Sequence, residues 1–167
     1  MKKILLLLLV AISFSNCEKD DICTEETTPR LILSFYDISN PTVTKNVVSL
    51  KVKADGSYNN LDLGTFNGVS KVALPLNPST LVTTYHMTLD SASSTNANED
   101  ILTINYTTQT VYVSRACGYK TVYQLANGIN GVVKTEPTIP DGFWIQDTNV
   151  QTTSITTENV THVKIYF

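Results

Sequence analysis

From Arg30 onward the apolar residues of this chain recur at every second position, the period of a half-buried strand rather than the 3.6-residue period of a helix. Leu31, Leu33 and Phe35 share one face of residues 30–36, and Asn40-Pro41 then interrupts the run. In residues 47–53, Val48, Leu50 and Val52 point one way and Ser49, Lys51 and Lys53 the other, before a turn signal at Asp55-Gly56. Leu61 and Leu63 mark a short strand ahead of Asn67-Gly68. Val72, Leu74 and Leu76 alternate, but Pro75 among them cannot donate to a ladder, which predicts an edge strand or a loop. Residues 81–90 alternate most cleanly, with Leu81, Thr83, Tyr85, Met87 and Leu89 set against Val82, Thr84, His86, Thr88 and Asp90. After a small polar loop at 91–98, residues 101–106 and 110–116 read as a hairpin and 119–125 as a further strand. Gly128, Gly131, Pro137 and Pro140 mark a long connection. Residues 150–155 and 160–167 follow, with Val163, Ile165 and Phe167 on one face.

The pattern amounts to about eight to ten short strands rich in Thr, Val, Ile and Tyr, separated by turn residues, with no amphipathic helical window after the first twenty residues. It predicts an all-β fold: an antiparallel, immunoglobulin-like β-sandwich over residues 30–167 whose two sheets bury their alternating faces about 10 Å apart. A transmembrane β-barrel is the competing architecture, since the alternation leading to Phe167 resembles a barrel's closing strand. Barrel strands need about 9–11 residues, longer than most of the runs here.

The first residues obey a different rule. Met1-Lys2-Lys3 precedes the apolar residues 4–14, in which Ser13 is the one polar member. A cationic start followed by a short apolar core is the layout of a secretory signal. Eleven helical residues reach about 16 Å, too short for a hydrocarbon core of about 30 Å. The segment ends at Phe14-Ser15-Asn16-Cys17, which resembles a relaxed Bacteroidetes lipobox. That resemblance implies removal of residues 1–16 and acylation of Cys17, each buried methylene of the lipid contributing about 0.8 kcal/mol to membrane attachment. Glu18, Lys19, Asp20 and Asp21 resemble the lipoprotein export signal of the same bacteria. The expected location is the outer membrane, lipid-anchored and exposed at the cell surface, with its periplasmic face as the alternative. Residues 17–29 read as the lipidated cysteine and an acidic tether.

Composition narrows the picture further. Without residues 1–16, 151 of the 167 residues remain, enough for one domain with a sizeable core. The formal charge goes from −3 to −5, because Lys2 and Lys3 leave and no acid does. No basic patch remains to meet nucleic acid. Cys23 and Cys117 are left once Cys17 is acylated, and two cysteines in an exported chain suggest one disulfide.

Chemistry-bearing motifs are sparse. His86 and His162 fall on the polar faces of predicted strands, where surface histidines are expected, and neither has a cysteine or carboxylate at metal-ligand spacing. No acid–base pair, nucleophile elbow, phosphate loop or zinc-protease signature stands out. The expectation is a chain without catalytic residues, metal or cofactor. Asp90-Ser91-Ala92 resembles the Bacteroidetes O-glycosylation motif, which points to Ser91. Arg115-Ala116-Cys117-Gly118-Tyr119-Lys120, taken with Cys23 and residues 30–37, resembles an uncharacterised family of Flavobacteria-type lipoproteins over most of the mature chain; that family implies no activity. Tyr36, Tyr112, Tyr123, Trp144 and Tyr166 are candidates for an aromatic platform, with Gly142-Phe143-Trp144 in the Pro-flanked connection. Two functions follow as expectations. One is a non-catalytic envelope lipoprotein that binds another envelope protein, such as an outer-membrane component. The alternative is a surface glycan-binding module.

Overall fold

Alternation buries one face of strands such as 50–54, 82–89 and 163–166, and the strands assemble into two stacked sheets in the computed structural model, which describes residues 23–24, 27–55 and 61–167. Residues 1–16, Cys17 and the Glu18, Lys19, Asp20 and Asp21 tetrapeptide lie outside the described residues. Strands are numbered in chain order. The first sheet contains β1 (Leu31–Asp37), β2 (Asn40–Thr44), β5 (Lys71–Leu74), β10 (Asp147–Val150) and β12 (Val163–Tyr166). Its order is β10-β12-β1-β2, with β5 also on β1. The second contains β3 (Leu50–Ala54), β4 (Leu61–Phe66), β6 (Val82–Leu89), β7 (Asn98–Ser114), β8 (Gly118–Leu125), β9 (Val132–Thr135) and β11 (Ser154–Ile155). Its order is β11-β8-β7-β6-β3-β4, with β9 also on β7. All pairings are antiparallel except β1 with β12, which run parallel from Leu33↔Val163 to Tyr36↔Tyr166. Among the described residues the helical content is one 3₁₀ turn, Gly128–Asn130.

The two sheets share one core. Leu31, Leu33, Phe35, Val163 and Ile165 meet Leu50, Val52, Tyr85, Met87, Leu102, Ile104 and Leu125 in a single cluster. Phe35, Trp144 and Phe167 touch one another at its edge, with ring centroids 5.6–6.5 Å apart. The chain leaves the first sheet after β5 and crosses to β6 through Pro75, Leu76 and Asn77. Three core tyrosines meet that crossing. Tyr85 donates to the Pro75 carbonyl at 2.7 Å, Tyr123 to Leu76 at 3.2 Å and Tyr106 to Asn77 at 2.8 Å. Burial pushes the Tyr85 phenol well above its ordinary pKa, so it stays a donor.

Four local expectations need correction. Val47, not Val48, enters the core: Val47 is fully buried and Val48 is 56% exposed. Ser49 has a left-handed φ of 44°, which resets the alternation before Leu50. Residues 101–106 and 110–116 do not pair with each other; both belong to the 17-residue β7. The hairpin partner of its second half is β8, from Tyr106↔Leu125 to Ser114↔Gly118. Residues 150–155 are not one strand either. Val150 ends β10 in the first sheet and Ile155 lies in β11 of the second. Finally, Asn40-Pro41 opens β2, a fully exposed strand at the end of its sheet, where a missing N–H is tolerated.

Two substitutions measure this framework in urea unfolding. Tyr85→Phe should cost about 0.5–1.5 kcal/mol by removing the hydrogen bond to the Pro75 carbonyl, and Ile165→Ala about 2–5 kcal/mol by opening a cavity in the core. Tyr119→Phe, at an exposed ring, should stay within about 0.5 kcal/mol. Equal effects of Tyr85→Phe and Tyr119→Phe would contradict the role given to the crossing.

Candidate functional site

The least sandwich-like feature is the arm formed by the second half of β7 with β8. Beyond the Tyr106↔Leu125 rung, Thr107, Thr108, Gln109 and Thr110 are all exposed, so this stretch of β7 is a polar shaft. Near its end Tyr112 and Tyr119 stand directly opposite each other, their rings edge to face at 5.4 Å. Arg115, Ala116 and Cys117 make the turn, and Gly118 follows with φ +68°, a conformation that favours glycine. The Cys117 N–H donates to Ser114 Oγ at 3.1 Å.

The N-terminal segment is fastened to this arm. Cys23 is disulfide-bonded to Cys117, their Cα atoms 4.9 Å apart. The Thr121 N–H donates to Thr28 Oγ1 at 3.0 Å. Thr28 therefore covers the outer edge of β8 near the tip, and β11 covers it farther along, at Tyr123 and Gln124. Arg30 then clamps Glu158: its backbone N–H and Nε donate to Oε1 at 3.0 and 2.8 Å, and Nη2 donates to Oε2 at 2.6 Å. These bonds raise the Arg30 pKa and lower that of Glu158. A shallow depression of about 470 Å³ lies here, lined by Thr27, Thr28, Pro29, Arg30, Glu158 and Asn159. Its cation and its carboxylate are committed to each other.

Neither histidine is the exposed surface residue expected. His86 is half-buried between two carboxylates, with Nε2 3.2 Å from Asp55 Oδ1 and Nδ1 2.8 Å from Glu99 Oε1. Both ring nitrogens are thus engaged. His162 is completely buried. Its backbone N–H donates to the Ile32 carbonyl at 3.0 Å, and its Nδ1 accepts the Ile32 N–H at 2.8 Å. One residue therefore satisfies both main-chain groups of Ile32, where β1 is buried on both faces. Burial lowers the His162 pKa and keeps it a neutral acceptor. The clue in the sequence was the unbroken Leu31-Ile32-Leu33 run, which signals a strand covered on two sides. Among the described residues no group of three His, Cys, Asp or Glu side chains could hold a metal ion.

Asp100 carries no sequence motif, yet it is the most perturbed carboxylate. It is fully buried on β7, and Oδ2 accepts the Ile145 N–H at 2.6 Å while Oδ1 has no hydrogen-bond partner. Burial raises its pKa from 3.8 to about 6 against the pull of the Ile145 N–H; Glu136 and Asp141 push the same way as burial. Next to it, Lys134 Nζ donates to the Ile145 and Gln146 carbonyls at 2.6 and 3.1 Å and lies 4.1 Å above the Phe143 ring.

Two of the five platform aromatics, Tyr123 and Trp144, belong to the core. Trp144 is buried, with Nε1 donating to the Met87 carbonyl at 2.9 Å, and Tyr123 is buried at the crossing. Tyr36 and Tyr166 pack on each other at 5.8 Å under Lys164. Tyr112 remains exposed, joined by Tyr119. Ser91 is half-buried: its hydroxyl and its N–H both donate to the Ser49 carbonyl, at 2.6 and 3.1 Å. A sugar on that oxygen would remove the hydroxyl donor and leave the N–H bond.

Asp100 gives a pH signature. Its folded pKa exceeds the unfolded one, so its penalty on folding is complete above about pH 6 and is relieved as pH falls toward 4. His162 acts oppositely, its lowered folded pKa costing stability as pH drops below 6.5. Comparison with Asp100→Asn isolates the first effect. Between pH 7 and 4.5 the unfolding free energy of wild type should gain up to about 2 kcal/mol relative to the variant. Parallel curves in urea titrations at the two pH values would contradict the burial of this carboxylate.

No curated protein and no solved structure matches this chain. A family model does match, over residues 42–167, so that Cys117 and the whole arm fall inside the match and Cys23 outside it. The chain belongs to that family, a family of unknown function (DUF6452).

Proposed function

We propose that this protein is exported and held on the outer membrane by a lipid on Cys17, where its β-sandwich serves as a non-catalytic binding partner for another envelope protein. The Cys23–Cys117 disulfide carries this reading, because such bonds persist in oxidising compartments outside the cytosol. It stands six residues after the lipobox cysteine, so the arrangement joins an export signal, an anchor and an oxidised staple within a short stretch of chain. The buried titratable groups support a binding role over a catalytic one: Asp100 and His162 are both committed to main-chain N–H groups. Two open sheet edges offer a route for a partner strand, since β2 and β4 end their sheets and are largely exposed. The glycan-binding alternative loses its tryptophan, which is part of the core.

Metabolic labelling with a clickable fatty acid tests the anchor. The wild type should take up label and fractionate with outer membranes, and Cys17→Ser should do neither. Equal labelling of the two would overturn it. Cross-linking and purification of the lipidated protein from membranes should then recover one stoichiometric envelope partner. Repeated recovery of the protein alone would remove the binding role and leave the anchor.

A further inference from the structure

We propose that the tip of the β7–β8 arm, built from Tyr112, Tyr119 and Arg115, is a second contact with the bilayer: it sits among lipid headgroups and fixes the orientation of the sandwich. This rests on the lipid proposed at Cys17.

Reach is the first argument. From Cys17 to Cys23 the chain spans six residues, at most about 20 Å when extended. The Cys23 and Cys117 Cα atoms are 4.9 Å apart. The turn of the arm therefore lies within about 25 Å of the acylated residue, less than the thickness of one hydrocarbon core. The disulfide makes this obligatory, since it ties the tether to the tip of the arm rather than to the body of the sandwich.

Side-chain chemistry is the second. Tyr112 and Tyr119 are 56% and 70% exposed, although such rings bury most of their surface when a core is available. Tyr85, Tyr106 and Tyr123 show the contrast, with buried rings and hydroxyls on backbone carbonyls. The tip pair packs edge to face on itself, is otherwise exposed, and makes no hydroxyl bond to any described residue. An apolar ring with a polar rim suits the boundary between acyl chains and water, where tyrosine is enriched. Arg115 at the exposed turn and Lys120 on the next rung form no ion pair among the described residues, which leaves two cations for lipid phosphate. The shaft behind them carries Thr107, Thr108, Gln109 and Thr110, so immersion stops at the aromatic rung.

The test uses full-length, acylated protein in vesicles of phosphatidylethanolamine and phosphatidylglycerol, with Tyr119→Trp as the probe and Tyr112→Trp as a second. Lipids brominated near the headgroup end of the acyl chain should quench the added tryptophan by about twofold and its emission should shift to the blue, while buried Trp144 in the wild type changes little. Replacing both Cys23 and Cys117 by Ser in the probe protein should keep it on the vesicles and abolish the quenching. An acylated, vesicle-bound protein whose added tryptophan stays unquenched and water-exposed overturns the tip contact and leaves the anchor standing; so does a tip that folds onto its own acidic tether instead. If Cys17 proves unacylated, the anchor fails first and the tip contact, which rests on it, falls with it.

Discussion

A chain that crosses from one sheet of a sandwich to the other must carry its backbone polar groups through or beside the core. Here that burden falls on Pro75, Leu76 and Asn77, and three tyrosines from three neighbouring strands meet it, one hydroxyl per carbonyl. The segment reduces its own demand as well: Pro75 has no N–H, and the Asn77 N–H donates to Thr83 Oγ1 at 3.1 Å. Thr83 in turn lies 2.6 Å from the Tyr106 hydroxyl, so the bonds form one connected set. Of the three residues only Leu76 is buried, Asn77 being half-buried and Pro75 exposed; a buried carbonyl left alone would cost about 1–3 kcal/mol, a large share of a stability of about 5–15 kcal/mol. The spacing between β5 and the β6–β7–β8 surface is therefore fixed by hydroxyl reach, and the apolar core fills the gap that remains.

The same economy explains the other buried polar residues. His162 takes both main-chain groups of Ile32 at the start of the parallel β1–β12 ladder. Asp100 takes the Ile145 N–H where the connection from β9 returns to the sandwich, and Lys134 takes the Ile145 and Gln146 carbonyls from the other side. Side chains with chemical potential are thus spent on main-chain atoms at the places where strands change sheets or partners. Asp100 and His162 each do so with one side-chain polar atom only, because Asp100 Oδ1 and His162 Nε2 are buried without a hydrogen-bond partner among the described residues. Burial, more than any neighbouring charge, is the main reason the Asp100 pKa climbs.

How far the sequence could be read follows from where its periodicity is local. β3, β6 and β12 were legible because alternation and burial coincide there, as in Thr83, Tyr85 and Met87 or Val163 and Ile165. The Val47 and Val48 exchange was not, since it depends on a left-handed Ser49 whose carbonyl is held by Ser91, 42 residues away. The middle of β7 was hidden by its polar residues, which lie in a strand with neither face in the core. Loss of alternation there marks an arm, not a loop. The continuity of β8 and β9 was hidden too: both run antiparallel to β7, at Tyr106↔Leu125 and Ile104↔Val132, with the connecting residues looped out between them. The His86 pairing was recoverable in principle. The loop at 91–98 sets Leu89 opposite Asn98, and that register brings Glu99 diagonally beside His86.

The arm also changes the meaning of the N-terminal stretch. Residues 17–29 read as one polar linker would let a domain wander by about 40 Å from its first residue. In the structure, Pro29 is buried, Arg30 is locked to Glu158, Thr28 extends the edge of β8 and Cys23 is bonded to Cys117. A tether starting at Cys17 is therefore fixed from Cys23, and its greatest reach halves. Under the anchor proposed here, a body on so short a leash samples a thin layer above the bilayer. Any partner must then present its binding surface close to the membrane, and the local concentration of each for the other rises as that layer narrows. The disulfide acts on this geometry more than on the core, because it joins the tether to a projecting arm and lets the sandwich behind it fold around its own tyrosines.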